Sequence, residues 1–255
     1  MRRLPILLIA VVLMAPAFRA VPPVSATERS ANLRGVPLSQ EKHHHLVLEN
    51  PYVKVYEVEV GPREATLMHQ HLHDYAYVVL GECDLTNAVA GKPEASLKLP
   101  DTTVDFSHGM FSHIATNNGD TPCRKITIEL ERPQGEVNKV FPSINQALAS
   151  GDPDSAGMVG VLESEEMRLT ATAVAPGSSW SPARDERDRL VLMIDKINNT
   201  SGPKEHNSPF PAGMLAWVPA GKSWRVTNPS AQPMKLMVLE FKDSVQRSSL
   251  AVPDQ

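Results

Sequence analysis

The chain has 255 residues, 21% of them charged, with 22 Pro, 14 Gly, 2 Cys and a formal net charge of −4. That length allows one large or two small domains with an ample core, and such a charged fraction excludes a disordered chain. No basic cluster suits a phosphate backbone, so no nucleic-acid partner is expected.

The N-terminus reads as an address. Met1-Arg2-Arg3 is positive, Leu4 to Met14 is apolar apart from Pro5, and small residues follow at Ala15, Ala17, Ala20 and Ala26. This order describes a secretory signal peptide over residues 1–26, too short to span a bilayer comfortably. Cleavage after Ala20 or after Ala26 is feasible, and an uncleaved anchor is the alternative. Removal takes out Arg2, Arg3 and Arg19 and no acid, so the mature charge becomes 22 − 29 = −7. The expected location is secreted or periplasmic, with no further membrane span. Residues 27–44 are polar and irregular, and His43-His44-His45 reads as an exposed lead-in.

From Tyr52 the chain becomes short strands with turns between them. Val53, Val55 and Val58 mark the first, Gly61-Pro62 a turn, and Tyr75 to Leu80 an apolar strand closed by Gly81. Leu85, Ala88-Val89, Leu97-Leu99, Val104 to Phe106, Ile114-Ala115 and Ile126 to Leu130 extend the series. Even spacing of this kind predicts an all-β sandwich or barrel. Both Cys83 and Cys123 follow turns and enter apolar strands. They fit either an exported disulfide or two small buried hydrophobes.

Residues 132–157 concentrate Pro and Gly and read as a linker, with a short helix over residues 144–149. Residues 158–245 then echo residues 45–131, and residues 246–255 form a tail. Asn117 and Glu129 recur as Asn228 and Glu240 at an offset of 111, and Asp74 recurs as Asp188 at 114. The pattern is that of a duplicated β module.

The chemistry lies in His69-Gln70-His71-Leu72-His73-Asp74. In an extended chain every second side chain shares a face, and neutral imidazoles gathered with a carboxylate are ligands for a divalent transition metal. His113 is a further candidate. Buried, hydrogen-bonded histidines without metal are the plainer alternative. Tyr75 and Tyr77 could line a pocket, with barrel core preferred for Tyr77. Glu82 or Asp84 could serve as a general base if inward-facing, although solvated positions suit both. His108 and His206 read as loop residues.

These motifs resemble those of the cupin family. That family pairs H-x-H with a carboxylate seven residues before a glycine, here His69, His71 and Asp74 ahead of Gly81. A second motif places a histidine four residues before an asparagine, here His113 and Asn117 after Gly109. The resemblance implies two tandem jelly-roll barrels, with cupin domain 1 over 45–131 and a degenerate cupin domain 2 over 158–245. It implies one divalent metal (Fe, Mn, Ni, Zn or Cu) held by His69, His71, Asp74 and His113, with His73 as the alternative ligand. Two departures stand out: Asp74 replaces the usual glutamate, and its gap from His71 is short. In the second module His69, His71 and His113 map to Ala183, Asp185 and Trp224, so that module should lack metal and fill with aromatics. The implied function is a mononuclear metalloenzyme, oxygenase- or isomerase-like, acting on a small organic molecule. The alternative is a non-catalytic small-ligand binder, and a homodimer is implied by family analogy alone.

Overall fold

The computed structural model describes residues 33–194 and 215–242. The expected signal peptide, His206 and the C-terminal tail lie outside the described residues. Among those described, no helix is long and apolar enough to cross a membrane.

The first half is built from β1 (Val36–Pro37), β2 (His44–Glu49), β3 (Val53–Val60), β4 (His69–His71), β5 (Asp74–Val79), β6 (Cys83–Val89), β7 (Ala95–Leu99), β8 (Val104–Ser107), β9 (Phe111–Asn117) and β10 (Cys123–Leu130). They form two five-stranded sheets, ordered β1-β4-β9-β6-β7 and β2-β3-β10-β5-β8. β10 is central in the second sheet, antiparallel to β3 (Leu130 opposite Val53) and to β5 (Leu130 opposite Asp74). Its residues alternate. Ile126, Ile128 and Leu130 belong to the main apolar core, whereas Lys125 and Thr127 line a cavity between the two sheets. Cys83 and Cys123, at the starts of β6 and β10, form a disulfide across the sheets. Of the two sequence readings, the paired one is therefore the observed one.

The segment expected to be a linker is packed. It carries β11 (Asn138–Lys139) and helix α1 (Ile144–Ser150), whose first turn is capped by the Ser143 side chain accepting from the Gln146 amide. Such a cap satisfies one of the amides a helix start leaves orphaned. Ile144 and Ala147 are fully buried in the main core.

The second half contains β12 (Val159–Glu163), β13 (Met167–Val174), β14 (Ser179–Trp180), β15 (Arg189–Met193), β16 (Leu215–Val218), β17 (Val226–Thr227) and β18 (Met234–Phe241). A six-stranded sheet runs β11-β12-β13-β18-β15-β16, and β14 pairs with β17.

The echo heard in the sequence is a repeat of hydrogen bonds. The Asn117 side-chain amide donates to Val60 and Thr121 carbonyls, and Asn228 does the same to Val174 and Gln232. Asn117 accepts from the Gly119 amide, and Asn228 from Ser230. Asp74 accepts from the Gly109 amide, and Asp188 from Ala220. Even the register shift between Leu46 and Leu48 recurs between Gly160 and Leu162.

The largest core lies between the halves. Val53, Val55, Ala76, Val78, Ile126 and Ile128, on the outer face of the first sheet pair, join Val161, Leu169, Leu190, Leu192 and Leu239 from the second half in one cluster.

Candidate metal centre

β4 and β9 place the sequence-predicted histidines. They pair antiparallel with His69 opposite His113 and His71 opposite Phe111. Because side chains alternate, His69, His71 and His113 all face the cavity side, and all three are buried. Ring centroids stand 4.4 Å apart for His69–His113, 5.1 Å for His71–His113 and 5.2 Å for His69–His71. An imidazole nitrogen ~2.1 Å from an ion puts its ring centroid ~3.2 Å from that ion, so neighbouring ligand rings stand about 4.5–5.2 Å apart. The three ring spacings lie close to that range.

A fourth ring joins them that the sequence reading assigned to solvent. His44, at the start of β2, is buried, and its centroid is 4.8 Å from His69 and 6.4 Å from His71. His44, His69 and His71 can each offer a ligand atom, all within 4.8 Å of one another. The missed signal was Glu41-Lys42-His43-His44. Glu41 Oε2 sits 2.6 Å from His44 Nδ1 and also accepts from the His43 amide, while Oε1 accepts from Leu67. Burial pushes the Glu41 carboxyl up, but these hydrogen bonds outweigh it and hold the group down at about 2. His43 is also buried, its Nδ1 bonded to the Glu59 carbonyl.

The tautomers are constrained. A carbonyl only accepts, so His69 Nδ1, 2.8 Å from Leu67 O, carries the proton and leaves Nε2 with a bare lone pair. His113 Nδ1 is 2.6 Å from Asn87 Oδ1, giving the same outcome. His69 Nε2, His113 Nε2 and His71 Nδ1 are buried and have no hydrogen-bond partner. Burial holds the His69 ring down to about 3, with the neighbouring His44 adding to the shift. His71 and His113 are held well below the usual histidine range by burial first, and His44 is lowered by burial against the pull of Glu41. Buried neutral imidazoles with unshared lone pairs are what a divalent transition metal needs, and these nitrogens could hold one.

Asp74 has a different post. Its Oδ1 accepts from the Gly109 amide at 3.1 Å and its Oδ2 from the Gln134 amide at 2.8 Å, with exposed His108 3.4 Å away. Both oxygens anchor loops to the start of β5, and Asp188 repeats the role in the half without the histidines. Gly109 serves the same clamp, since a Cβ there would fall 2.4 Å from the His73 carbonyl oxygen. His73 itself is half-buried and is not among the residues lining the cavity. The acid beside His71 is instead Glu129, whose Oε1 is 3.6 Å from His71 Nδ1. Burial raises Glu129 to about 7.

The cavity that the rings open onto has a volume of ≈ 740 Å³. Tyr75, stacked on His71 at 4.2 Å, and Tyr77 both line it, so Tyr77 is wall rather than filler. Burial raises the Tyr75 hydroxyl to about 12. Glu82 and Asp84 are not among its lining residues; they border a separate surface depression.

No family model matches the sequence, and none of the curated proteins does. Solved structures do match. Salicylate 1,2-dioxygenase from Pseudaminobacter salicylatoxidans superposes with a TM-score of 0.53 at 11% identity, over 81% of this chain and 78% of that one. AerE from Microcystis aeruginosa gives 0.51 at 14% identity, over 79% and 98%. A cupin 2 conserved barrel domain protein from Leptotrichia buccalis gives 0.43 at 10%, over 78% and 88%. The structures that superpose above 0.5 give the chain a cupin fold. A cupin barrel carries its polar chemistry on inward-facing strand positions, and here that interior holds the histidines of the first half.

Proposed function

We propose that this is an exported bicupin whose first barrel holds one divalent metal on His44, His69, His71 and His113, and that it acts as a mononuclear metalloenzyme on a small organic molecule. The observation that carries the reading is the trio of buried imidazole nitrogens with no partner on His69, His71 and His113, all of which line one cavity. Glu41 and Asn87 orient His44 and His113 from behind, and the Leu67 carbonyl orients His69, as outer partners of metal-bound histidines do. Glu129, raised toward neutrality beside His71, is placed to hold or release a proton at the edge of the cavity. A metal there supplies Lewis acidity toward a substrate oxygen or activation of dioxygen, which fits oxygenase- or isomerase-like chemistry. The Cys83–Cys123 disulfide suits an oxidising compartment and supports export.

Metal analysis of untagged protein tests this. About one metal per chain is expected after supplementation with Fe, Mn, Ni, Zn or Cu salts. The His69→Ala/His113→Ala double variant should fold and carry none. Absence of uptake by the unmodified chain ends the reading. Metal bound with no turnover of any oxidisable or enolisable substrate favours the ligand-binding alternative.

A further inference from the structure

Two lysines line the cavity, exposed Lys92 at its rim and Lys125 deeper in the wall, and the metal reading leaves the charge of Lys125 without a task. It sits in the middle of β10, on the face that carries Thr127 and lines the cavity. Its Nζ stands 5.4 Å from the centroid of the Tyr77 ring. Burial alone accounts for its lowered affinity for the proton, held at about 8, with no neighbouring carboxylate offsetting it. The acid that lines the cavity, Asp105, is already engaged by Lys139 at 2.7 Å. Glu129, two positions along, is turned to His71.

The fold itself does not require an ammonium here. At the offset of 111 that relates β10 to β18, Lys125 corresponds to Leu236, which is fully buried in apolar contact. An uncompensated cation in a partly desolvated site costs stability and attracts anions far more strongly than one in water. Around it the wall is aromatic and apolar: Tyr75, Tyr77, Phe106, Phe111, Leu97 and Leu99. Lys92 on the rim is exposed and Asp105 is paired, so the charge set within this aromatic wall is Lys125, and a site of this kind suits a small molecule with an apolar body and an anionic head.

We propose that Lys125 anchors the carboxylate of a small organic acid inside the first barrel. This rests on reading that cavity as the ligand site, and it sets the substrate class of the proposed enzyme. It does not depend on metal being bound.

Titration calorimetry on the full chain, metal-stripped and metal-loaded, decides it with benzoate and hexanoate against benzamide and hexanamide. At least one acid should bind about tenfold or more tightly than its amide. Lys125→Met should remove that preference while leaving the amide affinity in place and the melting temperature no lower, and Lys125→Arg should keep it. Acids that bind no better than amides, or an acid preference that survives Lys125→Met, overturn the proposal. If Lys125→Met fails to fold, the acid-over-amide ratio of the unmodified chain and of Lys125→Arg still decides. Failure of the metal reading looks different: no metal uptake, with acid binding to the metal-stripped chain intact.

Discussion

The two halves share a frame and differ in what they enclose. Asn117 and Asn228 tie the same turns, Asp74 and Asp188 clamp the same loops, and β2 and β12 shift register at the same place. Yet His44, His69, His71 and His113 correspond by offset to Met158, Ala183, Asp185 and Trp224. Where the first half stacks His71 on Tyr75 beside Glu129, the second sets Arg189 between Asp185 and Glu240, at 2.7 Å and 2.8 Å. Met158, Val191, Val218 and Val238 pack together with Trp180 and Trp224 against them. The shared frame therefore tolerates either a polar cavity or a closed apolar filling, because frame and filling are carried by different residues on alternating faces.

Exchanging the filling should show this most sharply. Leu236→Lys buries an ammonium where no cavity receives it and should cost about 3–5 kcal/mol by chemical denaturation. Lys125→Leu should change stability by less than about 1 kcal/mol or raise it. Equal costs for the two would remove the distinction between the halves. Arg189→Met should come next. It takes the buried partner from Glu240 and Asp185, leaving them the half-exposed Arg187, and should cost about 2–3 kcal/mol, with Asp185→Asn/Glu240→Gln in the same background recovering part of it.

On the metal side, Glu41→Gln keeps the shape but loses one acceptor behind His44. Metal affinity should fall about 10–100-fold, read by competition with a chelator, with the fold intact. An unchanged affinity would take His44 out of the ligand set.

The smallest effect is a slope with pH in metal-free protein. The four imidazoles have folded values depressed below the unfolded value of ~6.5, so the unfolded chain gains protons first on acidification. Stability should fall below pH ~6.5 by up to about 1.4 kcal/mol per pH unit for each imidazole. Glu129 works the other way: its folded value is raised to about 7, so it removes stability as pH rises from ~4.5 toward 7. The His69→Ala/His113→Ala variant should show a shallower acid slope. An equal slope would mean these rings do not titrate on unfolding.

Much of this was legible in the chain. Period-two patterning announced the strands, and the alternation in His69-Gln70-His71 announced a shared face, since both follow from backbone geometry alone. The Asn and Asp echoes marked the repeat, but not their task, which is to hold turns. Spacing to Gly81 made Asp74 a ligand candidate, whereas its oxygens go to the Gly109 and Gln134 amides, one of them 60 residues away. His44 was read as exposed because nothing local shows that β2 lies beside β3, with His44 opposite Val58. Lys125 went unremarked for the same reason: a charge within an apolar strand declares its face only once both neighbouring strands are known. Sequence reveals periodicity, and tertiary pairing decides what a given face meets.

The apolar seam between the halves sets a limit on dissection. The sheet that presents Lys125, Tyr75 and Tyr77 inward has Val55, Ala76, Val78, Ile126 and Ile128 on its reverse, all sealed by the second half. A fragment ending near residue 131 would bare that whole oily reverse side to water and aggregate. The second half thus acts as the backing plate that makes its neighbour's hollow interior sustainable.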